Sequence, residues 1–424
     1  MLKITNYKDI ADMDVLINNI SFDDNVTSDV TAIVKNVMTN GDAALKEYSA
    51  KFDNVDIDKF EVSQADIEHA YNALDPALIQ SMKLAATNIE EYHRHQLRTD
   101  FRMERDGVIL GQKYTAMERA GLYVPGGTAP LPSSVLMNAI PAKIAGVSEI
   151  IMCTPPNSEG KIAPAILAAA KIAGVHRVFM LGGAHAIAAM AFGTETVPRA
   201  DVIAGPGNIY VTVAKKLVFG MVGIDMLAGP SEILIIADDS ANPRHVAADF
   251  LSQAEHDVLS TAILLTPSED LARAAAAEIE TQLAALPRSE IATQSVRNNG
   301  KIIVTSNLEE AVELSNKIAP EHLELCVADP FALLPLVKNA GSVFMGNNTP
   351  EAVGDYFSGT NHVLPTSGTA RFSSPLSVDN FIKKTSYQYY TPEALTRDKD
   401  HIIRFAEVEG LDAHANSVKF RVEE

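Results

Sequence analysis

Cysteine is scarce in this chain of 424 residues. Cys153 and Cys326 stand alone and no CxxC pair exists, which argues against a disulfide framework and against a thiolate zinc site. Positive charge is also short: 35 Lys and Arg face 54 Asp and Glu, for a formal net charge of −19. Such a surface repels phosphate backbones and anionic headgroups, so neither nucleic acid nor a membrane is an expected partner. No run of about 18 apolar residues is available to cross a bilayer. The opening MLKITNYKDIADMD carries acids where a signal peptide would have a basic and then an apolar stretch. A cytoplasmic protein is expected. Low-complexity tracts, long linkers and fixed-period repeats are all missing.

What is present is a globular composition, 47% hydrophobic and 21% charged, with 24 Gly and 21 Pro. The length exceeds what one core usually serves, so about two to three domains are expected. From about Val30 to Arg98 apolar positions recur at helical spacing, in VTAIVKNVMTNGDAALKEYSAKF and DPALIQSMKLAATNIEEYHRHQ. After Gln112, short β-rich runs (GLYVP, EIIMCTP, RVFMLGG, VIAGP, EILIIAD) alternate with alanine-rich helical ones. A second alternating set follows, through VAADFLSQAEH, STAILLTP, a long helix from Ser268 to Leu286, KIIVTS and LEEAVELSNKIAP, with LELCVAD and SVFMG as further strands. Strand and helix in alternation, with Gly or Pro at the strand ends, predict βαβ units and parallel sheets. The tail after about Ser373 reads as a separate, polar, helical element.

Three glycine turns each follow an expected strand and precede an expected helix: Tyr123-Val124-Pro125-Gly126-Gly127, Leu181-Gly182-Gly183-Ala184 and Gly205-Pro206-Gly207-Asn208. A turn of that kind lets backbone approach a phosphate and aims helix N–H groups at it. None completes GxGxxG with an acid about twenty residues on, so the standard dinucleotide fingerprint is absent. Three such turns on successive units still favour a nucleotide-sized crevice.

The remaining candidates are polar. In Ser252-Gln253-Ala254-Glu255-His256-Asp257, Gln253 and His256 lie three apart on one helix face, where both can reach one ion. Glu321-His322 follows the helix-ending Pro320, and adjacent Glu and His can move protons near neutrality. Asp355, His362 and His414 sit in glycine-flanked loops. Nitrogen and oxygen ligands without thiolate suit zinc or a similar divalent ion.

Taken with AGLYVPGG (120–127), GPGNIYV (205–211), AGPSE (228–232), LSQAEHD (251–257), IAPEHLEL (318–325), GDYFSGTNHVLPT (354–366), GTARFSSPLSV (368–378) and EGLDAHANSVKFR (409–421), the chain resembles the histidinol dehydrogenase family from about Val30 onward. The expected fold is α/β, with two Rossmann-like parallel-sheet domains, incomplete and lacking the standard GxGxxG, and small helical N- and C-terminal elements. Residues 1–20 would form an arm, 21–122 with 233–372 a discontinuous first domain, 123–232 the NAD-binding second domain, and 373–424 a tail reaching the partner subunit's site.

The resemblance implies one zinc per subunit, held by Gln253, His256, Asp355 and, across a homodimer, His414 of the partner subunit. It makes Glu321 and His322 the catalytic pair and Ser231, Gln253, His256, His322, Asp355, Glu409 and His414 the substrate contacts. Tyr123, His185 and Asn208 become NAD contacts. At His185 the family typically has Gln, so one hydrogen-bonding side chain replaces another, and the new one can carry charge. The implied reaction is the four-electron oxidation of L-histidinol to L-histidine through L-histidinaldehyde, with two NAD consumed, in the last steps of histidine biosynthesis. His322 would take the hydroxyl proton and Glu321 would activate the hydrating water. Two rivals share these residues: a paralogue oxidising another small alcohol such as a sulfonated diol, and a zinc hydrolase using Glu321 as base, for which the glycine turns would be idle.

Overall fold

The structure is a computed structural model that describes residues 2–10, 16, 23–57, 59–126, 130–157 and 159–423. It opens with β1 (Ile4–Asn6), α1 (Asp24–Tyr48), α2 (Gln64–Ala73) and α3 (Pro76–Arg94), then a hairpin of β2 (Phe101–Arg105) and β3 (Val108–Ala116). The first alternating series is β4 (Arg119–Tyr123), α4 (Pro132–Ala145), β5 (Glu149–Thr154), α5 (Pro164–Ala173), β6 (Arg177–Met180), α6 (Gly183–Phe192), β7 (Val202–Ala204), α7 (Ile209–Val218) and β8 (Gly223–Ile224). The second is β9 (Glu232–Ala237), α8 (Pro243–Ala254), β10 (Thr261–Thr266), α9 (Glu269–Leu283), α10 (Ser289–Asn299), β11 (Lys301–Val304), α11 (Leu308–Ile318), β12 (His322–Cys326), α12 (Pro330–Leu333), β13 (Ser342–Met345) and α13 (Glu351–Tyr356). The chain closes with β14 (Ile382–Tyr390), α14 (Pro392–Val408) and α15 (Asp412–Val422).

Local chemistry sets many of these boundaries. Asp75, Asn208, Asn242 and Ser268 accept a backbone N–H from the first turn of the helix they precede. Proline takes the first position of α3 and α8, where its missing N–H costs nothing. Every residue of β9, β10 and β12 is buried, as expected of strands covered on both faces.

The two Rossmann-like sheets expected from the alternation are present, and all their described pairings are parallel. One has the order β6-β5-β4-β7-β8, the other β1-β11-β10-β9-β12-β13. Apart from β1, both read 3-2-1-4-5 along the chain, so the strand order reverses between β4 and β7 and between β9 and β12. On the five-stranded sheet, α2 to α5 share a core with Leu122, Ile150 and Met152, while α1, α6 and α7 cover Ile151 and Phe179 on the other face. On the six-stranded sheet, α8 to α10 pack on Ile233, Ile235 and Leu264, and α11 and α12 on Leu234, Ile236 and Leu323. Half of the expected N-terminal arm falls outside the described residues, but β1 within it pairs with β11.

Both parallel sheets belong to one compact unit, residues 1–96 with 117–381; residues 97–116 and 382–424 form a second. In the second unit β14 pairs antiparallel with β3 over nine residues, from Ile382↔Ala116 to Tyr390↔Val108, and β2 flanks β3. The tail is therefore not all helical, as its polarity suggested. Its strand exposes eight of its nine residues and so shows no apolar alternation to read. Residues 97–116, placed by the sequence within the first α/β domain, fold with that tail because β14 and β3 satisfy each other's backbone.

One buried ion pair shapes the third glycine turn. Lys215 and Asp225 bond each other with side chains 3% and 0% exposed. Lys215 Nζ also donates to the Gly205 carbonyl at 3.0 Å, and Asp225 Oδ2 accepts the Gly205 N–H at 2.8 Å. Gly205 has φ +119°, and a Cβ there would come within 2.0 Å of the Tyr123 carbonyl oxygen, so only glycine fits. Removing one partner of a buried pair strands the other charge. Lys215→Met should cost about 3–5 kcal/mol of stability in urea unfolding; a loss below about 1 kcal/mol would show that the pair does not hold this turn.

Candidate active site

The three glycine turns lie at the C-terminal ends of β4, β6 and β7, on one edge of the five-stranded sheet; Gly127 itself is outside the described residues. Tyr123 ends β4 at the switch point. Its buried hydroxyl accepts the N–H of Gly183 at 3.0 Å, tying the first turn to the second, and burial pushes its pKa up to about 12. Asn208 caps α7: its Oδ1 accepts from Tyr210 N at 3.1 Å and Val211 N at 3.2 Å, which leaves its amide nitrogen for a ligand. His185, in the first turn of α6, is 1% exposed, and neither ring nitrogen has a partner. Its ring centroid is 5.8 Å from that of Tyr48 and 6.2 Å from that of Phe52. Burial pushes its pKa down to about 4, so it is neutral near pH 7. Cβ-free turns backed by helix N-termini, with unpartnered donors and acceptors beside them, fit the phosphates and hydroxyls of a dinucleotide.

A second cluster sits at the N-terminal edge of β9 and β12, around Glu321 and His322. Glu232, the first residue of β9, holds both. Its N–H donates to Glu321 Oε2 at 2.9 Å, and its carbonyl lies 2.7 Å from His322 Nδ1. A carbonyl only accepts, so Nδ1 carries the proton of the neutral ring and Nε2 keeps a free lone pair. That Nε2 is buried without a hydrogen-bond partner, 4.0 Å from Glu351 Oε1 and 3.9 Å from Asp355 Oδ1. Burial lowers the His322 pKa and pushes Glu321 well above the usual carboxylate range. The Glu232 side chain is itself raised by burial, to about 7.

Gln253, His256 and Asp355, three of the four expected ligands, lie at the same place. Asp355, in α13, has its pKa raised by burial and then by the charge of Glu351. Gln253 is buried in the last turn of α8, and despite burial the neighbouring Asp355, His322 and Gln253 hold the Glu351 carboxyl low. α8 ends at Ala254, so His256 lies in the following turn rather than on the helix, and its N–H bonded to the Gln253 carbonyl at 3.1 Å keeps that turn closed. His256 is near enough for its charge to act on His322 and Glu351. His362 fixes the main chain of Asp355, with Nδ1 3.0 Å from its carbonyl, and its Nε2 accepts from Ser134 Oγ at 3.3 Å. Ser231, half-buried, immediately precedes β9. Glu409 caps the C-terminus of α14 and His414 stands in the first turn of α15, both exposed and both in the second unit.

Ligand atoms of His322, Glu351 and Asp355 lie within 4.8 Å of one another, and Glu351 Oε1 is buried without a hydrogen bond. Asp355, among these crowded carboxyl groups, and Gln253 and His256 near by supply the nitrogen and oxygen donors that a divalent cation takes, so this region fits zinc. The sequence reading missed Glu351 and Glu232. Each is a lone acid in a helix first turn or at a strand start, where charge is ordinary.

The family model for histidinol dehydrogenase matches residues 18–422. Histidinol dehydrogenase of Lactiplantibacillus plantarum is 54% identical over 93% of this chain and 92% of its own, and that of Geobacillus kaustophilus 53% over 93% of each. A crystal structure of histidinol dehydrogenase from Elizabethkingia anophelis superposes with a TM-score of 0.95 at 41% identity, covering 100% of this chain and 98% of that one.

The burial of His185 has a measurable consequence. In the unfolded chain it takes up a proton below its ordinary 6.5, whereas the folded protein resists until about 4. Its contribution is complete above pH 6.5 and is lost as pH falls toward 4. Relative to pH 7, wild type at pH 5 should lose about 2 kcal/mol more stability than His185→Gln. Parallel stability–pH curves for the two proteins would contradict this.

Proposed function

The chain belongs to the histidinol dehydrogenase family, and we propose that it oxidises L-histidinol to L-histidine with NAD at the Glu321–His322 cluster. The observation that carries this reading is the buried lone pair on His322 Nε2, with Nδ1 held by the Glu232 carbonyl. A neutral imidazole with its outer nitrogen unprotonated is a base ready for a hydroxyl proton. Once it accepts that proton, the imidazolium has Asp355 at 3.9 Å and Glu321 at 3.6 Å beside it and faces Glu351 at 4.0 Å, whose carboxyl, held low, offsets its charge in a site shielded from water. Glu321 takes the second role, drawing a proton from the water that hydrates the aldehyde. A carboxyl group raised by burial is a stronger base when ionised, which suits that task.

NAD, when bound, accepts one hydride in each of the two oxidations, and Tyr123, His185 and Asn208 at the glycine turns are the residues assigned to it. Zinc, when bound to Gln253, His256, Asp355 and His414 of the partner subunit, would fix the substrate's imidazole and amine. Ser231 and Glu409 complete the substrate contacts. The homodimer is supported by the apolar residues that flank Glu409 and His414 at the surface of the second unit: Phe405, Val408 and Phe420 are 75%, 83% and 62% exposed, more than a lone protomer leaves uncovered without cost. No described helix is long and apolar enough to cross a membrane, and the reaction is assigned to the cytoplasm.

Wild type should form two reduced NAD per histidinol. Glu321→Gln should slow the aldehyde half-reaction by about 10²–10⁴ and release histidinaldehyde after one equivalent, while His322→Ala slows the alcohol half. Equal damage to both halves by Glu321→Gln would refute the division. The shared site has its own test: His256→Ala and His414→Ala, each inactive, should restore about a quarter of wild-type activity when mixed and reassembled, because half the dimers are mixed and each of those keeps one intact site. Confirmed heterodimers without activity would exclude His414 acting across the interface.

A further inference from the structure

The glycine turns and the polar cluster lie on different sheets, and residues 225–231 carry the chain from β8 of the one to β9 of the other. Hydride transfer needs its reacting atoms about 3–3.5 Å apart, and a misplacement of about 1 Å costs about 10² in rate. How firmly this crossing segment is held therefore bears on the chemistry.

One helix face holds its first half. Asn208 caps α7, and Thr212 and Lys215 follow it by four and seven residues, so all three share a side of that helix. Asn208 belongs to the third glycine turn. Lys215 bonds Asp225, where the segment begins. Between them Thr212 donates from Oγ1 to the Ala228 carbonyl at 3.0 Å. The next residue is held by another part of the chain: the Gly229 N–H donates to Thr366 Oγ1 at 2.6 Å. Both threonines are 2% exposed. Thr366 is itself fixed, its carbonyl accepting from Thr369 N at 3.0 Å and Thr369 Oγ1 at 2.7 Å. Pro230 then locks one backbone angle. The Ser231 carbonyl accepts the Thr261 N–H at 3.0 Å, and Glu232 begins β9.

We propose that Thr212 and Thr366 are positioning residues for hydride transfer: by holding Ala228 and Gly229 they make residues 225–231 a rigid strut between the cofactor turn at Asn208 and the substrate side at Ser231 and Glu321–His322. The inference rests on the reading that NAD binds at the glycine turns and the alcohol at that cluster. It separates geometry from affinity. Both hydroxyls are buried and engaged by main-chain groups, so losing one should leave each ligand bound but badly placed against the other.

The test uses the full-length, zinc-loaded enzyme and three measurements: Kd for NADH alone, Kd for histidinol alone, and the single-turnover rate of NADH formation with both substrates saturating. Thr212→Val keeps the shape of the side chain and leaves the Ala228 carbonyl without its donor. It should bind each ligand within about threefold of wild type, yet form NADH at least about tenfold more slowly. Deuterium at the carbinol carbon should slow that step further, which identifies it as hydride transfer. Thr366→Val should behave in the same way. Thr212→Ser keeps the hydroxyl and should transfer hydride within about threefold of wild type. The proposal is overturned if Thr212→Val transfers hydride at the wild-type rate, if its whole loss lies in NADH binding, or if Ser is as damaging as Val. Should Thr212→Val fail to fold in urea unfolding, Thr366→Val decides by the same three measurements. Asn208→Ala and His322→Ala are run beside them. Normal NADH binding in the first and normal turnover in the second would sink the reading of the two sites, whereas losses in both with silent threonine variants would sink the strut alone.

Discussion

The peptide group on each side of Glu232 grips one member of the reactive pair: the N–H holds the Glu321 carboxylate and the C=O holds His322 Nδ1. Much depends on that arrangement. The carbonyl determines which imidazole nitrogen carries the proton, and therefore which one faces the carboxylates of α13. The N–H offsets part of the cost of burying Glu321. Because β9 and β12 are neighbouring, fully buried parallel strands, the geometry is set by strand register and does not rely on a mobile loop. Around this anchor gather more carboxyl groups than the interior can leave ionised, and the resulting demand for positive charge is what a cation or a protonated imidazole satisfies.

The two parallel sheets share a strand order but use opposite edges. The five-stranded sheet presents its glycine turns at the C-terminal edge, where open α/β sheets usually bind ligands. In the six-stranded sheet the polar cluster lies at the N-terminal edge of β9 and β12, reached by the end of α8 and by α13. Strands supply the rigid pair Glu321–His322, while helix ends supply Gln253, His256 and Asp355.

Alternation made the parallel sheets legible, since each buried strand is a short apolar run bounded by Gly or Pro. The antiparallel sheet of the second unit was not legible by that route. β2 exposes all five residues, and β14 is more than 260 positions from its partner β3. Asp106-Gly107, both with positive φ, was the one local hairpin signal, and it passed unread. Tyr123, Glu321, His322 and Asp355 could be picked out from motif strings, but their convergence could not, because spacing along a chain carries no information about packing. Glu324 did leave a mark, a carboxylate inside the apolar run HLELC, where a charged residue in a buried strand implies a partner. Glu351 left none: an acid in a helix first turn is the commonest place to find one.

The central claim is that the nitrogen and oxygen atoms around His322 form a metal site free of sulfur, although Cys326 lies on the same strand. X-ray absorption at the zinc edge of the loaded enzyme tests it directly. The account predicts a shell of nitrogen and oxygen scatterers at about 2.0–2.2 Å with no sulfur. A sulfur scatterer near about 2.3 Å, or no stoichiometric zinc at all, would contradict it.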